Sequence, residues 1–148
     1  MKTKLSLLAI ISLAAISAPG LFAGTPEQEK AFLDKYKTAF EAGDKATLQT
    51  FLYTKDAHPM ALEFYKMMQL DGAGGKISKI ELVDLAPADA KRAEATEEGP
   101  DGKKTRLPLK PTKKLNITVA KDGSSSSTGC LVAEKDGKFV IPVPVPAK

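Results

Sequence analysis

Tryptophan is absent, cysteine and histidine occur once each, and aromatic residues make up only 6% of the 148-residue chain. A lone cysteine excludes an intramolecular disulfide, and with a lone histidine it cannot build a zinc site within one chain. The acidic residues show no calcium-loop spacing, so neither a metal nor any other cofactor is expected. The G-x-S-x-G elbow is also missing, and Ser124 to Ser127, flanked by glycines, read as a flexible turn. Cys130 is expected to open a strand as a small core residue. Charge of one sign is not in large excess either. The 22 basic and 18 acidic residues leave +4, a balance that demands no polyanionic partner.

Long apolar runs are missing too, with one exception. "LSLLAIISLAAIS" follows "MKTK" and precedes the small residues of "APGLFAG". A basic start, an apolar run too short to span a bilayer comfortably and a small-residue exit describe a secretory signal peptide, residues 1–23, with Ala23 as its last residue. The chain is therefore expected to be exported to the periplasm or exterior of a bacterial cell, with no membrane span after cleavage. Losing Lys2 and Lys4 with the leader lowers the formal charge to +2. Residues 24–148 suffice for one domain with a single core, and that core alone must hold the fold.

Three helices are expected in the first half. Phe32, Tyr36 and Phe40 recur at four-residue steps, with Lys35, Lys37 and Glu41 facing away. Thr25 is placed to cap this helix, with Pro26 at its first position and Glu27 and Glu29 near the positive end of its dipole. Gly43 stops it and Asp44 caps the next helix, which carries Leu48, Phe51 and Leu52. A third helix starts at His58-Pro59, with Ala61, Phe64, Tyr65 and Met68 as its buried stripe and Leu62 on the flank. "DGAGG", residues 71–75, ends it.

From Lys76 the period changes to two. "KIELVDL" alternates but shifts phase at Val83 and Leu85, which indicates a bulge or a strand covered on both faces. "LNITVA" points Leu115, Ile117 and Val119 inward. Asp136-Gly137 joins two strands as a hairpin. In the last strand Phe139, Ile141, Val143 and Val145 share a face, and the alternating prolines 142, 144 and 146 withhold N–H groups along one side, the pattern of a sheet edge. "EATEEGPDGKK" and "KDGSSSSTG" read as polar connections. The fold class is α+β: three N-terminal helices packed on a curved antiparallel sheet of about four to six strands.

Over residues 28–70, the order helix, "AGD" corner, helix, extended link and "ALEFYKMM" resembles the N-terminal half of the NTF2-like superfamily, which includes ketosteroid-isomerase-like and SnoaL-like proteins. The resemblance implies a cone whose curled sheet leaves a pocket at its open end, lined here by Phe32, Phe40, Phe51, Leu62, Tyr65 and Met68. Steroid-isomerising members use an aspartate base with a tyrosine and a second acid that steady an enolate oxygen. Tyr36, seven residues before Gly43, matches that tyrosine. His58-Pro59 stands where the family writes Asp-Pro, and no strand acid matches the third member.

A neutral imidazole at His58 and a phenol at Tyr36 could perform proton transfer and oxyanion stabilisation. The residues favour a plainer role for each, Tyr36 as a core aromatic and His58 as a cap or solvent-facing side chain. Lys103, Lys104, Arg106, Lys110, Lys113 and Lys114 fall within twelve residues. They could contact an anionic lipid or polysaccharide, although they read better as a solvated edge, and no interleaved aromatics suit them to nucleic acid. Three functions are compatible with these residues: a non-catalytic domain holding a small apolar or amphiphilic ligand or a protein partner; an isomerase or dehydratase using Tyr36 and His58; or a homodimer formed through the sheet, with a vestigial pocket.

Overall fold

The computed structural model describes residues 24–148, so the expected signal peptide lies outside the described residues. The first helix, α1 (Pro26–Glu41), opens on a reciprocal cap. Thr25 Oγ1 accepts from the Gln28 N–H at 3.2 Å, while Gln28 Oε1 accepts from the Thr25 N–H at 2.8 Å. Together they satisfy two donors that the helix itself leaves free. At the other end Gly43 takes φ +64. There the Gly43 N–H donates to Phe40 O at 3.0 Å and the Asp44 N–H to Ala39 O at 2.9 Å, the two bonds of a Schellman stop. Asp44 then caps α2 (Lys45–Thr50) by accepting from the Thr47 N–H and hydroxyl at 3.1 and 2.7 Å. The Thr47 hydroxyl, helped by its N–H, holds the Asp44 carboxyl below the usual carboxylate range.

After β1 (Leu52–Tyr53), α3 (Pro59–Leu70) begins at Pro59 as expected, but its phase differs. Ala61 and Gln69 are buried and Tyr65 is half-buried, so the inward stripe steps through residues 61, 65 and 69. Phe64 and Met68, expected inside, are 48% and 38% exposed beside Met60 and Met67. The reason lies in a buried polar pair: the Tyr36 hydroxyl donates to Gln69 Oε1 at 2.8 Å. Turning Met68 inward would turn Gln69 away and leave that hydroxyl without its acceptor.

The remaining elements are β2 (Lys76–Asp84), α4 (Pro87–Glu94), β3 (Glu97–Glu98), β4 (Lys104–Arg106), β5 (Lys113–Lys121), β6 (Ser124–Lys135), β7 (Lys138–Pro142) and β8 (Val145–Pro146). They complete an α+β fold with a five-stranded sheet, β1-β7-β6-β5-β2, and a three-stranded sheet, β3-β4-β8. The large sheet is mixed rather than antiparallel, because β1 runs parallel to β7. Among the described residues the expected three helices are four: α4 occupies a stretch with no apolar stripe, started by Pro87 and balanced by Asp89 at its N-terminus and Lys91 and Arg92 at its C-terminus.

Two further expectations need correction. Ser124–Ser127 are not a turn; they extend β6 and pair with Thr118–Lys121. The turn lies just before them, at Asp122-Gly123 with φ +50 and +78, and Asp136-Gly137 repeats it with φ +52 and +71. Both are two-residue loops of the kind whose twist matches the flanking strands. Nor is β7 an edge, since it lies between β6 and β1. Its one-sidedness is nonetheless real. The Ile141 and Val143 N–H groups donate to Phe51 O and Tyr53 O of the β1 segment at 2.8 and 3.1 Å, while pairing with β6 stops at Val140. Pro142 has no N–H to continue that ladder. Val145 and Pro146 then leave the large sheet to pair with β4.

Leu115, Ile117, Val132, Phe139, Ile141 and Val143 from the sheet meet Phe32, Tyr36, Phe40, Leu48 and Phe51 in one core. Phe32 packs edge-on against Phe51 at 5.3 Å between ring centres, with Tyr36–Phe51 at 5.1 Å and Phe32–Phe139 at 5.7 Å. These aromatic contacts add to ordinary area burial. In β2 the register slips between Ile77 and Lys79, ahead of the expected phase shift at Val83. Residues 80–83 are half-buried throughout.

Candidate functional site

A cavity of about 250 Å³ opens where the large sheet, the small sheet and α4 meet. Tyr65 from α3 and Leu107, Cys130 and Leu131 supply its apolar surface. Asp89, Arg92 and Ala93 of α4, Glu97 of β3, Thr105 and Arg106 of β4 and Lys114 of β5 complete most of the wall. Pro87 and Asp89 start α4 where its first turn meets β5, and there Lys114 Nζ donates to Asp89 Oδ2 at 3.1 Å. Arg92 sits 3.7 Å from Glu97, a loose and exposed pair. The buried Thr105 hydroxyl donates to Glu97 O at 3.3 Å, tying β4 to β3 beneath the cavity.

Two groups in the cavity wall, Tyr65 and Cys130, are held in their protonated forms. Burial raises the Tyr65 pKa, reinforced by the neighbouring Cys130 and Glu97. Burial also pushes the Cys130 thiol up to about 12. At neutral pH neither is an anion, so the site lacks the thiolate or phenolate that nucleophilic chemistry would need. Arg92, Arg106 and Lys114 face two carboxylates, Asp89 and Glu97. Lys114 and Arg92 are the paired cations. Among the described residues no carboxylate pairs with Arg106. It stands at the rim shared with a neighbouring groove bounded by Tyr53, Pro108 and Val145.

Tyr36 and His58 do not come together in this site. Tyr36 is 3% exposed among aromatic side chains, its hydroxyl is committed to Gln69, and burial, with Cys130 adding to it, raises its pKa despite that bond. His58 is 4% exposed rather than solvent-facing, and it makes no side-chain cap bond to α3. Its N–H donates to Pro144 O at 2.9 Å, and its Nε2 lies 3.1 Å from Asp101 Oδ2 in the turn between β3 and β4. His58 thus fastens the start of α3 to the small sheet. Partial burial works to raise the Asp101 pKa, but the Lys103 N–H, the neighbouring His58 and the Lys103 ammonium outweigh it, so the carboxyl sits below its ordinary range.

Of the residues expected to line a pocket, only Tyr65 lines this cavity. Phe32, Phe40 and Phe51 fill the core, Leu62 packs against it, and Met68 faces a shallow groove between α2 and α3. Four of the six basic residues are paired with acidic side chains. Lys103 pairs with Asp101 at 3.5 Å, Lys110 with Glu94 at 3.1 Å and Lys114 with Asp89. Lys113 bridges Asp84 and Glu29 at 2.8 and 3.0 Å, bonds that raise its pKa. Lys104 is exposed on β4.

Sequence reasoning missed Asp89, Arg92, Glu97, Thr105, Leu107 and Leu131. The Pro-x-Asp start of α4 was the one local signal available for any of them. Among the described residues no group of three or more histidine, cysteine or acidic side chains could hold a metal, and no helix is long and apolar enough to cross a membrane. No family model matches the chain, and no curated protein matches it.

Proposed function

We propose that this protein is an exported, non-catalytic binding domain of NTF2-like fold that takes a small amphiphilic ligand carrying one anionic group. The observation that carries this reading is the cavity's composition: an apolar surface from Tyr65, Leu107 and Leu131, with three cationic residues against two acidic ones. An apolar ligand body displaces water from the first set, and a carboxylate balances the charge left at Arg106. The volume of about 250 Å³ favours a compact ligand, since drug-sized sites run to roughly 300–1,000 Å³. The protonated Tyr65 and Cys130 support binding over turnover. The leader-like start supports export, and the order of helix, Gly-Asp corner, helix, third helix and sheet supports the NTF2-like assignment.

Thermal unfolding against medium-chain carboxylic acids and their matched alcohols tests this. A ligand at 100 times its dissociation constant should add about 2.7 kcal/mol of stability. Acids should stabilise the protein saturably and alcohols much less, and Arg106→Gln should remove the difference. Equal shifts with acids and alcohols would refute the anionic part, and no shift with either would refute the pocket.

A further inference from the structure

The cavity continues into an unpartnered strand edge. β6 is joined to both neighbours by two-residue hairpins, whose closing pairs, Lys121 with Ser124 and Lys135 with Lys138, exchange both hydrogen bonds. Even-numbered residues of β6 therefore turn their backbone groups to β5, and odd-numbered ones turn theirs to the other side. β7 meets that side only from Lys135 to Ala133, because the next partner in register would be Pro142. The N–H and C=O groups of Ser125, Ser127, Gly129 and Leu131 are left facing outward. Beyond β5 and β7, no element of the described chain packs extensively on β6.

Natural sheets guard such an edge with lysine, proline or a bulge. This stretch has none: residues 124–131 are uncharged, pair with β5 in unbroken register and are exposed as far as Gly129. The edge then runs into the cavity, which Gly129, Cys130 and Leu131 help to line.

We propose that the edge and the cavity form one site for the free C-terminus of an extended polypeptide. The segment adds as a strand parallel to β6, bonding to Ser125, Ser127 and Gly129. Its last side chain enters among Tyr65, Leu107 and Leu131, and its terminal carboxylate meets the Arg106 rim. The direction follows from charge. The cavity's carboxylates already have cationic partners and, among the described residues, Arg106 has none, so the carboxyl end enters and the peptide runs the way β6 runs. Backbone bonds supply affinity in strand addition, and the end pocket supplies selectivity. A second folded copy fits poorly, because its own β6 continues into its fold at both ends and cannot follow the edge inward, whereas a chain terminus can. This inference rests on the cavity's being a site for a carboxylate-bearing amphiphile.

The test uses the purified protein and a random heptapeptide library displayed with free C-termini. A recovered peptide should lose at least tenfold in affinity when its C-terminus is amidated. It should lose a similar factor against Ser127→Pro, which deletes one outward N–H and leaves the β5 ladder intact. Should that variant fail to fold, amide hydrogen exchange of the unmodified protein gives an independent reading: bound peptide should slow exchange at Ser125, Ser127 and Gly129. Equal binding of acid and amide, or no protection along the edge, would overturn the inference. If no peptide is recovered while nonanoate stabilises the protein, the strand inference falls and the small-ligand reading stands. If nonanoate also fails, both fall.

Discussion

Replacing Tyr36 by phenylalanine removes one oxygen and should destabilise the protein through its partner. The Tyr36 hydroxyl and Gln69 Oε1 are 2.8 Å apart, and the two residues are 3% and 5% exposed, so water cannot readily replace either group. A buried polar group left without its partner costs about 1–3 kcal/mol, more than the ~1 kcal/mol net contribution of an ordinary hydrogen bond. Tyr36→Phe orphans the Gln69 carboxamide, and Gln69→Leu orphans the phenol, so each should cost about 1–3 kcal/mol. The double variant removes both groups and should lie within ~1 kcal/mol of the parent, giving a coupling close to the sum of the two single losses. Urea unfolding measures this directly. In a thermal scan each kcal/mol corresponds to roughly 3–6 °C for a domain of about 125 residues. Additive losses, or a Gln69→Leu variant more stable than the parent, would refute the placement of Gln69 in the core and with it the phase of α3.

The core and the titrating groups give further expected outcomes. Leu115→Ala, at a fully buried β5 position in the core, should cost about 2–5 kcal/mol in urea unfolding. Cys130, with its thiol pushed up to about 12 by burial, should react with a disulfide reagent at pH 8 far more slowly in the native protein than in urea. Comparable rates would contradict a thiol held protonated by its surroundings. Asp101 has a folded pKa below its ordinary 3.8, so its stabilising contribution is full above that value and disappears as pH falls through the lower one. Asp101→Asn should therefore lower the urea midpoint at pH 7, and the gap between variant and parent should close on acidification below about pH 4. A gap that persists or widens there would show that the carboxylate charge is not what holds the turn to His58.

The corner at Gly43-Asp44 was legible because every bond that makes it is local. Gly43 can take φ +64, Asp44 has a side chain that reaches Thr47, and both signals stand side by side in the sequence. The hairpin at Asp136-Gly137 was legible for the same reason. Its twin at Asp122-Gly123 was hidden by the four serines next to it. Serine has little strand propensity, and the place of these four in β6 comes from the cross-strand ladder to Thr118–Lys121. Alternating prolines correctly limited β7 to one partner at its end. That partner is the two-residue β1, too short to carry a periodic signal.

The phase of α3 shows why the site was harder to read than the fold. Apolar periodicity alone favours burying Phe64 and Met68, and it treats glutamine as a surface residue. A phenol in the core reverses that preference, because Tyr36 at the centre of the α1 stripe needs an acceptor and Gln69 provides one. The cavity multiplies the difficulty. Tyr65, Asp89, Glu97, Arg106 and Leu131 come from five separate elements, and no two are close enough in sequence to form a motif. They converge because Pro142 releases β7 from β6 and the chain crosses to the small sheet at Val145, which holds β4, and β3 with it, beside the cavity. The proline that ends one ladder thereby creates both the outward-facing backbone groups of β6 and the space they face. Restoring an N–H there with Pro142→Ala should let β7 extend its pairing toward Leu131, so hydrogen exchange at Leu131 should slow and the affinity for carboxylic acids should fall together. Slower exchange with unchanged binding would separate the edge from the cavity.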